Sequence, residues 1–247
     1  MLRVEGLTKV FPGRGGRKTV AVKDLSFHTM PGEIYGLLGP NGAGKTTTLR
    51  CLSTLLKPTA GNAWIDHISV LEQGESFRSR IGFLTSDMKL DGYFTPEYLT
   101  DWFGRLNRVP GEVVRERRKA LFSELQMDDF AGRRIDDLST GMKQKTAIAV
   151  SLIHDPDVII FDEPTNGLDV ITSKAVTDFL RNKADAGKTI VLSTHMMTVA
   201  EKLCSRFGII AGGVMKAEGT LQEIAPGGNL EEVFFGHILS GGSSDEG

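Results

Sequence analysis

Gly39-Pro40-Asn41-Gly42-Ala43-Gly44-Lys45-Thr46-Thr47 fits the pattern G-x-x-x-x-G-K-[ST] at every specified position. Its flanks decide how it is read. Glu33 to Leu38 is a short apolar run expected to form a strand, and Leu49, Leu52 and Leu56 then recur at helical spacing. Strand, glycine-rich turn and helix in that order make a phosphate-binding loop. Glycines leave successive backbone N–H groups unobstructed around phosphate oxygens, and the helix N-terminus adds a favourable dipole. Lys45 is then placed to bridge the β- and γ-phosphates and Thr46 to hold Mg²⁺. Glycine supplies 29 of 247 residues, about 12% against the usual ~7%.

The second chemical element is Val158-Ile159-Ile160-Phe161-Asp162-Glu163. An all-apolar run of this length is typical of a buried parallel strand. Two adjacent carboxylates at its end are costly to bury without a partner. A metal ion and a water would partner them: Asp162 holds Mg²⁺ through its water shell, and Glu163 orients or deprotonates the attacking water. Read alone, the pair could equally cap a turn or a helix.

Around these elements the chain reads as α/β. Leu2 to Phe11 and Val20 to Thr29 are expected strands, the second with Leu25 and Phe27 alternating with Ser26 and His28. The segment from Gly13 to Lys18 is a glycine-marked turn. Residues 86–154 read as helical. Thr95 is an expected N-cap before Pro96, with Leu99, Trp102, Phe103 and Leu106 on one apolar face; Val114, Leu121 and Leu125 mark a second helix, and Ser139 to Ile153 a third. The α/β pattern resumes with the acidic strand, a helix after Asp169, a strand from Thr189 to Thr194 and a hairpin at Gly212-Gly213. Residues 241–247 have nothing to bury and are expected to be disordered.

Lys plus Arg number 29 against 31 Asp plus Glu, a formal net charge of −2, so no global charge invites nucleic acid. No uncharged apolar run approaches the ~20 residues that span a bilayer, and Met1 to Glu5 opens like a strand, so a soluble, untargeted chain is expected. Cys51 and Cys204 lie far from any metal-ligand spacing and read as reduced packing thiols, in keeping with a reducing compartment. Two guanine-reading patterns, Asn182-Lys183-Ala184-Asp185 and Asp129-Phe130-Ala131-Gly132, lack their proper context; Asn182 continues a helical pattern through Val176, Phe179 and Leu180. Both read as chance matches.

Leu138-Ser139-Thr140-Gly141-Met142-Lys143-Gln144 stands shortly before the acidic strand and opens a helix. On physical grounds Ser139 is an N-cap and the following amides form an anion site. Here the chain resembles the ATP-binding cassette (ABC) ATPases, whose signature is LSGGQ: Leu138, Ser139 and Gly141 match, while Thr140 and Met142 depart. The resemblance implies a P-loop core with a mainly parallel sheet, an N-terminal antiparallel β region and an inserted helical subdomain. Its expected boundaries are one domain over 1–240, with the core at about 1–85 and 155–225 and the helical subdomain at about 86–154. It further implies ATP and Mg²⁺ bound by residues 39–47, and Phe11 as the aromatic that stacks on adenine, unless its ring is strand packing. Asp169 would lie at a subunit interface, and His195 would be a switch histidine at the γ-phosphate. Ser139 and Gly141 would act on ATP held by a second cassette subunit, with a homodimer expected.

The family's usual glutamine two residues after Ile81-Gly82-Phe83-Leu84 is here Ser86. That replacement, the LSTGMKQ signature and the segment through Thr95-Pro96-Glu97 are similar to the ATPase subunits of bacterial Nat-type sodium exporters. The resemblance spans nearly all of residues 1–235. It implies an ATP hydrolase that drives a separate integral-membrane permease from the cytoplasmic face of the membrane. Tyr93, Phe94, Tyr98 and Trp102 include candidates for the docking groove, although most of them are expected in the core. The alternative is a soluble single-cassette ATPase acting on a partner other than a transporter.

Overall fold

The computed structural model describes residues 1–239; the expected tail at 241–247 lies outside them. The chain opens with β1 (Leu2–Pro12) and β2 (Lys18–Thr29), antiparallel, with Leu2 opposite Thr29 and Phe11 opposite Thr19. β3 (Ile34–Leu38), buried along its length, runs through the glycine loop into α1 (Lys45–Leu52). After β4 (Ala60–Ile65), β5 (Ile68–Ser69), α2 (Gly74–Arg78) and β6 (Ile81–Leu84) come three helices, α3 (Pro96–Leu106), α4 (Gly111–Glu124) and α5 (Thr140–Leu152). The remainder is β7 (Val158–Asp162), α6 (Val170–Asp185), β8 (Thr189–Thr194), α7 (Met197–Leu203), β9 (Arg206–Ala211), β10 (Val214–Gly219), α8 (Leu221–Ile224) and α9 (Leu230–Leu239).

Two sheets result: an antiparallel one of order β2-β1-β4-β5, and a six-stranded one of order β10-β9-β3-β8-β7-β6. The larger sheet is parallel except for β10, which returns antiparallel on β9 through Gly212 and Gly213, both at positive φ as a tight hairpin demands. This is the α/β core with a mainly parallel sheet and an antiparallel N-terminal β region that the sequence predicts. Period-two alternation splits the strands between two apolar bodies. Tyr35, Leu37, Val158, Ile160 and Val191 face the first sheet together with Leu49, Cys51 and Leu52 of α1. Ile34, Leu38, Ile159, Phe161, Ile190 and Leu192 face the helices α4 to α7. Both cysteines are free and buried, and burial pushes the Cys51 thiol up to about 11.

Two local expectations need correction. α1 stops at Leu52, so Leu56 is not on it; Thr54 takes a left-handed φ of 65° and Pro58 follows, which ends the helix. The apolar face read for α3 holds for Leu99 and for Phe103, which is partly buried against the core, but not for the rest of the helix. Its buried residues are Pro96, Leu99, Thr100 and Gly104, whereas Trp102 is 48% and Leu106 62% exposed. The small side chains decide this, because a Cβ on Gly104 would lie 2.5 Å from Val114 Cγ2, so α3 and α4 approach through Gly104. Tyr93 and Tyr98 are exposed as well, and Phe94 is only partly buried, so most of this aromatic group is surface rather than core.

The caps fall where the sequence places them. Thr95 Oγ1 accepts from Tyr98 N at 3.2 Å, Ser139 Oγ from Met142 N at 3.3 Å, and Asp169 Oδ1 from Ile171 N and Thr172 N at 2.9 Å each. Residues 182–185 continue α6, which removes the guanine-reading pattern.

Candidate active site

Register alone assembles the site. Leu38 at the end of β3 lies opposite Thr194 of β8, Ser193 opposite Asp162 of β7, and Phe161 opposite Leu84 of β6. The carboxyl ends of four parallel neighbours are therefore level, and the glycine loop, His195, the acidic pair and Ser86 emerge at one sheet edge, where open α/β sheets bind ligands. A cavity of about 320 Å³ there is lined by residues 40–47, Ser86, Glu163, Asn166, His195 and Ala21.

The glycines of the loop have separable causes. Gly44 adopts φ +107°, and a Cβ on it would meet Ala21 O at 2.4 Å; Gly39 is pinned by Ile210 O, 2.3 Å from where its Cβ would be. Pro40 O accepts from Ala43 N at 3.2 Å, while Gly44 caps α1 without any side-chain acceptor. The first amides of α1 thus have no capping side chain and are available to an anion. Lys45 Nζ donates to Gly39 O at 2.6 Å and Pro40 O at 3.2 Å. Burial lowers its pKa from the ordinary lysine value, against the opposing pull of the Glu163 and Asp162 carboxylates.

Asp162 is buried and held from three sides. Thr46 Oγ1 donates to its Oδ2 at 2.9 Å, Ser193 Oγ donates to Oδ1, and Ser86 Oγ lies 3.5 Å from Oδ2. Hydroxyl and carboxylate oxygens converging this way suit Mg²⁺, which prefers hard oxygen donors and takes one or two protein ligands plus phosphate and water. No group of three or more His, Cys, Asp or Glu side chains exists among the described residues to hold a cation without a nucleotide.

Glu163 follows at a left-handed φ of 52°, a strained position for a non-glycine residue. Its N–H donates to Ser193 O at 3.1 Å, and its Oε1 lies 2.9 Å from His195 Nδ1. Oε2 is buried and has no hydrogen-bond partner among the described residues. A buried carboxylate oxygen with no donor is costly, and a water or phosphate-bound hydroxyl in the cavity would satisfy it.

Several candidates lie elsewhere. Phe11 does not line the cavity; it is half-buried on β1, with Lys9 Nζ 5.2 Å from its ring centroid. Ser139 and Gly141 are likewise absent from the lining. In this chain α5 packs against the start of α6: a Cβ on Gly141 would be 2.9 Å from Thr172 Cγ2, and Gln144 Nε2 donates to Pro164 O at 2.8 Å. Beside Asp169 the apolar side chains of Val170 and Ile171 are almost fully exposed. Sequence reasoning gave no cavity role to Ala21, Asn166 or Ser193. Asn166 and Ser193 lie within three residues of Glu163 and His195, whereas Ala21 had no signal beyond being small.

These features define a nucleotide-hydrolysing cassette. The family model described as "ABC transporter" matches residues 22–166, and the chain belongs to that family. It is 36% identical over 225 residues to the ABC transporter ATP-binding protein NatA of Bacillus subtilis (strain 168), covering 90% of this chain and 92% of that protein. It is 39% identical over 224 residues to the Nod factor export ATP-binding protein I of Ralstonia nicotianae, covering 91% and 68% respectively. Among solved structures, the ATP-binding subunit of an ABC transporter superposes with a TM-score of 0.86 at 27% identity, covering 96% of this chain and 99% of that one. A dimeric cassette in a post-hydrolysis state, bound to ADP and Pi, superposes with a TM-score of 0.80 at 28% identity, covering 90% and 99%. The chain is an ATP hydrolase that works with Mg²⁺. Among the described residues no helix is long and apolar enough to cross a membrane.

Proposed function

We propose that this chain is the energising subunit of an exporter, docked on a separate membrane permease at the cytoplasmic face and acting as a homodimer that closes around two ATP molecules. The carrying observation is the convergence of Lys45, the Thr46–Asp162 pair and the Glu163–His195 pair on one cavity. Residues 1–240 form a single cassette domain in this reading, with a core at about 1–85 and 155–225 and a helical subdomain at about 86–154. The exposed Tyr93, Tyr98 and Trp102 offer the permease an aromatic docking face.

Each residue has a role within that reading. The loop amides of residues 39–47 surround the phosphates, and Lys45 leaves the Gly39 and Pro40 carbonyls to bridge the β- and γ-phosphates. Thr46 and Asp162 hold Mg²⁺, which neutralises phosphate charge when bound. Glu163 Oε2 takes the proton of the attacking water, whose oxygen bonds to the γ-phosphorus as the bond to the bridging oxygen breaks and ADP leaves. His195 fixes the Glu163 carboxylate through Oε1 and presents its second ring nitrogen to the γ-phosphate. Ser139 and the amides after it complete the site on the opposite subunit, since a two-fold dimer brings helix N-termini across to the partner's nucleotide. Phe11, which lies on β1 outside the phosphate cavity, is the proposed stacking face for adenine.

Sodium ion is the proposed cargo, supported by Ser86 and the LSTGMKQ signature, which are similar to those of Nat-type exporters. The test is reconstitution of the chain with the membrane protein that co-purifies from gently solubilised membranes. ATP-driven sodium movement, lost on Lys45→Ala, is expected. ATP-stimulated transport without sodium movement would refute the cargo, and the lack of any co-purifying membrane protein would refute the permease.

A further inference from the structure

Ser86 is a short side chain at a place where reach matters. A glutamine can adjust three side-chain torsions to meet a metal-bound water; the serine hydroxyl has only χ1, so once its rotamer is set its position follows its backbone. That backbone is anchored. Thr85 to Met88 form a turn closed by Met88 N donating to Thr85 O at 3.2 Å, with Ser86 and Asp87 as its two central residues. Arg50 Nη2, on the last turn of α1, donates to Asp87 Oδ2 at 3.0 Å. The turn is thereby tied to the helix that begins with Lys45 and Thr46, while Ser86 Oγ lies 3.5 Å from Asp162 Oδ2, the oxygen that also receives the Thr46 hydroxyl.

We propose that Arg50 and Asp87 are a positioning pair that locks the 85–88 turn to the phosphate-loop helix, holding the Ser86 hydroxyl at the metal corner of the site, where it binds a metal-bound water. This rests on the reading of Thr46 and Asp162 as the Mg²⁺-holding residues. Both members of the pair are substantially exposed, and ion pairs of that kind contribute little to global stability. Their consequence is geometric. α1 carries the phosphate loop and the turn leads into the helices of residues 86–154, so the pair also links nucleotide geometry to the start of the helical region.

The test measures how nucleotide binding depends on Mg²⁺, using a fluorescent ATP analogue with and without chelator, so that no turnover is needed. Arg50→Gln, Asp87→Asn and Ser86→Ala are each expected to raise the Mg²⁺ concentration for half-maximal binding about tenfold, the lower end for residues that orient a metal site. Metal-free binding should stay at the parent value in Arg50→Gln and Asp87→Asn, whose side chains lie outside the cavity lining. Exchanging the charges with Arg50→Asp and Asp87→Arg in one chain should recover the parent Mg²⁺ dependence, and Ser86→Ala combined with Asp87→Asn should be no worse than either alone. An unchanged Mg²⁺ dependence in the single variants, an equal loss of metal-free binding, no recovery on charge exchange, or additive effects of Ser86→Ala and Asp87→Asn would each overturn the proposal. Asp162→Asn is the control for the reading beneath it: if that variant also leaves the Mg²⁺ dependence unmoved, the metal assignment itself fails.

Discussion

Replacing Glu163 by glutamine isolates the proton-accepting role from everything else that side chain does. Glutamine has the same length, and its carbonyl oxygen can still accept from His195 Nδ1 at the observed 2.9 Å. The backbone amide keeps its bonds to Ser193 O and Oγ at 3.1 and 3.2 Å. What changes is the buried Oε2, which has no hydrogen-bond partner among the described residues and becomes a non-basic amide nitrogen. Loss of a general base lowers the rate by about 10²–10⁴-fold, or about 3–5 kcal/mol at 1.36 kcal/mol per decade. Nucleotide affinity should hold or rise, because one negative charge facing the phosphates is gone. Single-turnover hydrolysis and equilibrium ATP binding, measured on the same preparation, separate the two effects. Hydrolysis within tenfold of the parent with binding intact would refute the role of Glu163; parallel collapse of both would show that the substitution acted on the fold.

Gly104→Ala should destabilise the chain by about 1–3 kcal/mol, the cost of overpacking, since the added methyl meets Val114 Cγ2 at 2.5 Å; adding Val114→Ala should recover part of this in urea denaturation, and a neutral Gly104→Ala would contradict the packing. Burial lowers the pKa of His154 below its ordinary 6.5, and Nε2 pairs with Ile81 O at 2.9 Å while Nδ1 is buried with no partner among the described residues. The unfolded chain therefore takes up the proton first: this contribution to stability is complete above about pH 6.5 and is lost as pH falls from there through the lowered folded value. Thermal unfolding from pH 8 to 5 should show a smaller acid-side loss for His154→Gln than for the parent, and equal slopes would refute the assignment.

The fold was legible where one signal dominated. Val158 to Phe161 is a short, β-branched-rich apolar run, the pattern of a strand buried on both faces, and glycine spacing with Lys45 and Thr46 marks the loop before α1. α3 misled in part: Leu99 and Phe103 do pack toward the core, but Thr100 and Gly104, whose smallness lets α4 approach, complete that face, while the large side chains Trp102 and Leu106 are exposed; hydrophobicity alone does not separate the two pairs. The Glu163–His195 and Ser193–Asp162 contacts join residues about thirty positions apart. They follow from β8 lying between β3 and β7, a strand order that no local pattern states. The Arg50–Asp87 pair is likewise invisible in sequence, being one of many surface charge pairings the composition allows.

In the proposed dimer each ATP lies between the phosphate loop of one subunit and Ser139 of the other. Two chains of distinguishable size, one carrying Asn41→Cys and the other Ser139→Cys, both in the Glu163→Gln background so that ATP is retained, test it by mild oxidation. Asn41 and Ser139 are exposed, whereas Cys51 and Cys204 are buried and their thiols are raised by burial, which keeps them unreactive. An ATP-dependent disulfide between the two chains, at their summed mass, is expected, and it should disappear when Lys45→Ala is added to both. A link that forms equally without nucleotide, or none in ATP-bound dimers, would contradict it.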